Sequence, residues 1–195
     1  MKSFFLNDPK MLIYGFMIIF FGSYGQTFFI ALFNDDIKNY YSLTDGQFGL
    51  IYALSTTLSS LLLINVAKLI DFIDLRIYSI IITTGLIITC ISIYILPFNI
   101  FYLVIIILSL RFFGQGAMTH AGITSLTRYF GKDRGKAISF GNLGGMLGVM
   151  FLPIIVVYFK NFFSFREIWL FSSLSLIIFL PILYITLNNQ KQRQK

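Results

Sequence analysis

The sequence predicts an all-α membrane protein of six transmembrane helices, and three observations predict it. Of its 195 residues, 57% are hydrophobic and 12% charged, against roughly 25% charged in an ordinary soluble domain, and the mean hydropathy is +0.82. Six apolar segments reach the roughly 17–25 residues that a helix needs to cross a bilayer. Lysine and arginine gather in the short stretches between them, mostly on one side. Strand-period alternation is absent, which excludes a transmembrane barrel.

In chain order, residues 1–10 (MKSFFLNDPK) form a polar lead, read as cytoplasmic. The apolar run after it is span-length and lacks a small-residue cleavage site, unlike a removable signal peptide. The spans are predicted at Met11–Phe33, Phe48–Val66, Ile77–Leu96, Ile100–Thr127, Ala137–Phe159 and Ile168–Leu187, so 11–187 make one six-helix bundle and 188–195 a basic cytoplasmic tail. The connectors NDDIKNYYSLTDGQ, AKLIDFIDLR, PFN, RYFGKDRGK and KNFFSFRE are too short for a soluble domain. Pro153 and Pro181 fall inside the fifth and sixth spans, where the bilayer tolerates proline.

The formal charge of +7 does not point to nucleic acid, because its distribution follows the membrane. With the N-terminus inside, the inner side holds Lys2, Lys10, Lys68, Arg76, Arg128, Lys132, Arg134, Lys136, Lys191, Arg193 and Lys195, and the outer side only Lys38, Lys160 and Arg166. Such a bias places both termini in the cytoplasm of a cell (inner) membrane protein. The single Cys90 lies in an apolar run and His120 is the one histidine, so neither a disulfide framework nor a metal or cofactor site is expected.

Arg111 is the sharpest feature. It lies inside the fourth span, where a charge costs about 2.5–3.5 kcal/mol on insertion scales and marks a functional site by default, and no Asp or Glu occurs in any span to pair with it. At 3.6 residues per turn, Gln115, Met118, Gly122 and Ser125 project to its side of an α-helix. A rise of 1.5 Å per residue puts Arg111 about 4 Å, and Gln26 of the first span about 6 Å, to the outer side of their spans' centres. Gln26 is therefore the expected acceptor for the guanidinium. One reading is an anion or coupling site; the other is an arginine satisfied by helix amides and water. His120, nine residues on, falls two and a half α-turns away and is expected on the opposite face. A proton relay and a plain helix-to-helix hydrogen bond both suit it.

Glycines punctuate the same region: Gly22 and Gly25 in the first span, Gly114, Gly116 and Gly122 in the fourth, and Gly141, Gly144, Gly145 and Gly148 in the fifth. Small residues four apart let helices approach closely, and the same contacts would permit rocking. FFGSYGQT (20–27) is echoed by FFGQGAMT (112–119). A three-plus-three inverted repeat with spans one and four in matching roles fits this echo; so does chance in Phe- and Gly-rich text.

Further stretches complete the pattern. The second loop reads Ala67-Lys68-Leu69-Ile70-Asp71-Phe72-Ile73-Asp74-Leu75-Arg76, whose Asp71, Asp74 and Arg76 are adequately explained as solvated loop charges. YFGKDRGKAISFGNLGGMLG carries Arg134, Gly135 and Ala137, and FREIW carries Arg166 and Trp169. In this order and spacing, with Arg111 followed by Gly114 and Gly116, the chain resembles the first six-helix half of the major facilitator superfamily of secondary transporters over about Met11 to Leu187. The region from the fourth to the fifth span is similar to the monocarboxylate and oxalate–formate type branches. That family's G-x-L-x-D-x-x-G-x-R loop is matched at Leu69, Asp71 and Arg76, with Ala67 and Asp74 in place of its glycines. The resemblance implies half of a twelve-helix fold, a substrate or coupling role for Arg111, and a latch role for Asp71 and Arg76.

The function expected from this is a secondary transporter, or its N-terminal half, that moves a small organic solute by alternating access; the unpaired Arg111 refines this to an organic anion such as a monocarboxylate, with a proton as a candidate co-substrate. Its partners would be membrane lipid, the solute, and a second six-helix half or another copy; two copies would set two Arg111 beside one cavity. A non-transporting assembly subunit is the alternative. An enzyme fits poorly, because the chain has no G-x-S-x-G, no H-E-x-x-H and a single histidine.

Overall fold

The computed structural model describes residues 8–95 and 97–190. Leu96, most of the N-terminal lead with Lys2, and Lys191, Arg193 and Lys195 of the tail lie outside the described residues. Among the described residues every regular element is helical.

The first span starts at Asp8, whose Oδ1 accepts from the Met11 N–H at 3.1 Å, and Pro9 takes the first helical position, where its missing N–H costs nothing. Helix α1 (Pro9–Gly22) gives way to a 3₁₀ turn at Ser23–Gly25, an extended Gln26 (φ −76°, ψ 152°), and α2 (Thr27–Ala31). The outer connector, expected to be loop, holds a short helix α3 (Asn34–Tyr41) that ends at left-handed Ser42. The second span, α4 (Asp45–Val66), begins three residues earlier than its apolar run. A capping box explains this: Thr44 Oγ1 accepts from Gln47 N–H while Gln47 Oε1 accepts from Thr44 N–H.

After a 3₁₀ turn at Ala67–Asp71 comes α5 (Leu75–Tyr94), capped by Asp74, which accepts from Arg76 N–H at 2.9 Å. The fourth span is α6 (Ile100–Leu110), a π-helical segment Arg111–Met118, and α7 (Thr119–Phe130). Gly131 (φ +36°) opens the turn Gly131–Asp133 into α8 (Arg134–Phe159), and a second capping box, Ser164 with Glu167, starts α9 (Phe165–Thr186). Five described stretches are long and apolar enough to cross a membrane. One of them, Ile100–Phe159, is 60 residues long, about 90 Å at 1.5 Å per residue, three times a bilayer core. The turn at Gly131 divides it into two, which makes six crossings.

The first span packs on the fifth, the fourth on the second, the third on the sixth, and the first crosses the fourth. Exchanging helices one, two and three for four, five and six turns the first contact into the second and leaves the other two unchanged, as an inverted repeat requires. The echoed segments meet at the centre. A Cβ on Gly22 would lie 2.9 Å from Gly114 O, and one on Gly25 2.0 Å from Leu110 O and 2.7 Å from Gly114 Cα. The matching glycines thus face one another where the two spans cross.

On the fifth span the face against the first is Gly141, Gly144 and Gly148. Added Cβ atoms there would meet Leu126, Phe16 O and Ser23 Oγ at 2.1–2.5 Å, and one on Gly145 would meet Ile19 at 3.2 Å. Tyr14 and Tyr24 tie the first span to the third and sixth through Ser79 and Ser175, each at 2.8 Å, the hydrogen-bonded glue of helices in lipid. Phe29 and Phe33 pack on buried Trp169, each at 5.1 Å between centroids.

Candidate functional site

Arg111 begins the π segment and is 8% exposed, a charge buried among helices. Its Nη1 donates to Thr27 Oγ1 at 2.9 Å and to Gly25 O at 3.4 Å, and its guanidinium sits 5.5 Å from the centre of the Tyr52 ring. The depth arithmetic thus sets Arg111 level with Gln26, but the acceptors are the residues on either side of Gln26. The 3₁₀ break accounts for this correction: leaving the helix at Gln26 turns its backbone extended and presents the Gly25 carbonyl and Thr27 hydroxyl instead. Thr27 also accepts from the Tyr52 hydroxyl at 3.1 Å, so three spans converge on one oxygen.

Arg111 Nε has no hydrogen-bond partner. Arg111 also lines a cavity of about 340 Å³ between the second and fourth spans, with Thr56, Ser59, Ser60 and Leu63 on one wall and Arg111, Gln115, Gly116, Thr119, His120 and Ile123 on the other. Thr56 Oγ1, Gln115 Oε1 and Thr119 Oγ1 are likewise buried without partners. Buried polar groups are normally satisfied; these four belong to residues that line the cavity but are themselves enclosed, Thr119 Oγ1 on the side of the first span, 3.5 Å from where a Cβ on Gly22 would lie.

The π segment also rewrites which residues share a face. Each i→i+5 turn takes in an extra residue, so positions 111, 115–116, 119–120 and 123 line the cavity. His120, expected opposite Arg111, shares its wall. Met118 and Gly122, expected beside it, turn away: Met118 is fully buried, and a Cβ on Gly122 would meet Ile19 at 2.6 Å. Ser125 donates to Gly122 O at 3.0 Å and opens on a different, inner recess. A Cβ on Gly116 would meet Leu63 at 2.9 Å, so this glycine sets the gap between the walls.

The hydroxyl wall was missed by the sequence reading. Its signal is the run Ser55-Thr56-Thr57-Leu58-Ser59-Ser60 in the middle of an apolar span, with Thr27 and Tyr52 one step outward.

At the inner end, Asp71 pairs with Arg128 and the Tyr129 hydroxyl donates to Asp8 Oδ2, which ties the second loop and the start of the first span to the end of the fourth. The Arg76 guanidinium lies 5.0 Å over the Tyr184 ring. The loop charges therefore have partners, where solvation alone had seemed sufficient. At the outer end, Lys38 bridges Asp35 (2.9 Å) and Asp45 (2.6 Å), and Lys160 reaches Leu32 O and Asp36. The salt bridge beside Lys38 holds the Asp35 carboxyl below the usual carboxylate range, and the two carboxylates raise the Lys38 ammonium.

No group of three or more His, Cys, Asp or Glu side chains converges as a metal site among the described residues. No curated protein sequence and no solved structure matches the chain. The family profile of the Major Facilitator Superfamily matches residues 12–195, nearly the whole chain. Members of that family are membrane transporters, and the six crossings, the repeat symmetry and the polar cavity off the central crossing accord with the match: the chain belongs to the major facilitator superfamily.

Proposed function

We propose that this membrane transporter carries a small organic anion by alternating access, with Arg111 as the residue that binds the anion. One observation supports this above all: a buried guanidinium with no carboxylate partner among the described residues, belonging to a residue that lines a polar cavity. An anion there would gain charge-assisted hydrogen bonds in a low-dielectric setting and relieve the cost of the lone charge. A monocarboxylate, with a proton as co-substrate, is the simplest such solute.

Among the described residues the cavity is walled by the second and fourth spans, and the second span leaves Leu50, Leu54, Leu58, Leu61 and Leu62 exposed. A second six-helix bundle, or another copy of this one, would close the groove as halves do in this class of fold. The basic inner loops favour cytoplasmic termini in a cell (inner) membrane.

The test is uptake of labelled carboxylates, neutral sugars and cationic amino acids by the reconstituted protein, alone and with a candidate second bundle. Carboxylate uptake that collapses in Arg111→Ala and changes selectivity in Arg111→Lys is the expected result. Unaltered specificity in both variants would remove Arg111 from the site, and flux of none of these solutes in either format would favour a non-transporting assembly subunit.

A further inference from the structure

We infer that His120 is a second recognition residue of the cavity, and that the solute is an elongated anion with a hydrogen-bonding group at each end, the simplest being a linear dicarboxylate. The inference rests on reading Arg111 as the anion site. Its starting point is that the π segment brings His120 onto the same wall as Arg111. Nine residues separate them, so their Cα atoms lie at most about 13 Å apart along the span at 1.5 Å per residue. Helical side chains lean toward the start of the helix, Arg111 away from His120 and onto Gly25 O and Thr27 Oγ1, so the interval between the two is that of a short carbon chain rather than of a single carboxyl group.

The ring of His120 is free to take part. Among the described residues its one hydrogen-bonding neighbour is Thr124 Oγ1, at 3.5 Å from Nδ1 and 3.4 Å from Nε2, the long edge of hydrogen-bonding range. Neither nitrogen is committed to a carboxylate or a backbone carbonyl. Among the described residues the wall opposite offers Thr56, Ser59, Ser60 and Leu63, with no charged group, and Arg111 is the one other charged or titratable residue lining the cavity. The two nitrogenous side chains therefore stand as separate poles. Between them on the same wall lie the residues Gln115, Gly116 and Thr119.

Isothermal titration of the purified protein in detergent with valerate and with glutarate separates the cases, since the two share a five-carbon chain and differ in the second carboxylate. Glutarate should bind at least tenfold more tightly than valerate. His120→Leu should bring the ratio toward one by weakening glutarate, and His120→Gln, which keeps an N–H donor, should restore part of it. Equal affinities in the wild type, or a tenfold preference that persists in His120→Leu, would overturn the role of His120 while leaving Arg111 as the anion site. If Arg111→Gln binds both acids as the wild type does, or the wild type binds neither acid alone or with the candidate second bundle, the anion reading fails, and this inference with it.

Discussion

The crossing of the first and fourth spans depends on having no side chain at Gly25, and Gly25→Ala tests it. The added Cβ would lie 2.0 Å from Leu110 O, 2.7 Å from Gly114 Cα and 2.8 Å from Gln115 N. All three are backbone atoms of the fourth span and cannot swing aside as a side chain can. Overpacking costs typically about 1–3 kcal/mol, and a backbone-to-backbone clash belongs at or above the top of that range. At about 2–4 °C per kcal/mol for a chain of this size, Gly25→Ala should lower the unfolding temperature by roughly 6–12 °C. The assay is thermal unfolding in detergent, followed by fluorescence of Trp169, the chain's one tryptophan, which is 1% exposed. Gly46→Ala is the control, since its Cβ meets nothing within 4 Å; replacing glycine by alanine in open helix is neutral or gains up to about 1 kcal/mol. Gly116→Ala should fall between them, because the atom in its way is the end of a Leu63 side chain. If Gly25→Ala melts with Gly46→Ala, the close crossing of the two echoed segments is wrong, and with it the level at which Arg111 meets Thr27.

Three further expectations follow from the same contacts. Thr27→Val removes the 2.9 Å acceptor of Arg111 and the partner of Tyr52; a hydrogen bond to a charged group contributes about 1.5–3 kcal/mol, and Thr27 is exposed enough for water to replace part of it, so a loss near 1.5 kcal/mol, recovered by Thr27→Ser, should appear in the same unfolding assay. The Asp71–Arg128 pair leaves 45% and 48% of its side chains exposed, so a double-mutant cycle should give a coupling of at most about 1 kcal/mol, and one above 3 would show a desolvated latch. The Asp35 carboxyl is held below its ordinary value, so its contribution is complete above roughly pH 3.9 and fades as pH falls through the lowered value. Amides of α3 should therefore lose protection, relative to intrinsic exchange rates, in that acid window, and Lys38→Met should abolish the dependence.

The number of crossings, their order and the repeat were legible because the bilayer imposes them. Every backbone group in hydrocarbon must be bonded internally, so a span-length apolar run can only be a helix. What hydropathy does not carry is where a helix starts outside the apolar run. Thr44 and Ser164 extend the second and sixth spans by reciprocal side-chain bonds. Nor does it show a short polar helix such as α3, whose hold comes from the local bridges of Lys38 to Asp35 and Asp45 and from two contacts with distant parts of the chain, Lys160 on Asp36 and Arg166 on Tyr40 at 4.4 Å.

The site was half legible for a different reason. Arg111 announces itself, because a lone charge in a span is visible in any register. Its companions follow from angular phase, and phase accumulates: each residue of an α-helix turns the next side chain by about 100°, so one extra residue within a turn moves every later position to another face. The π segment begins at Arg111 itself, so residues before it keep the α register and those after it do not. That is why Gln115 stays on the expected side while Gly122 and His120 trade places. The glycines that were read as packing devices have a second effect here. Gly114 lets the first span press against the wide turn where Gly25 O meets Arg111 Nη1, and Gly116 lets Leu63 close the cavity's far wall. The small residues, the helical irregularity and the buried charge therefore form one arrangement: the close crossing holds the guanidinium at its outer edge, and the widened turn below delivers a second nitrogenous side chain to the same polar space.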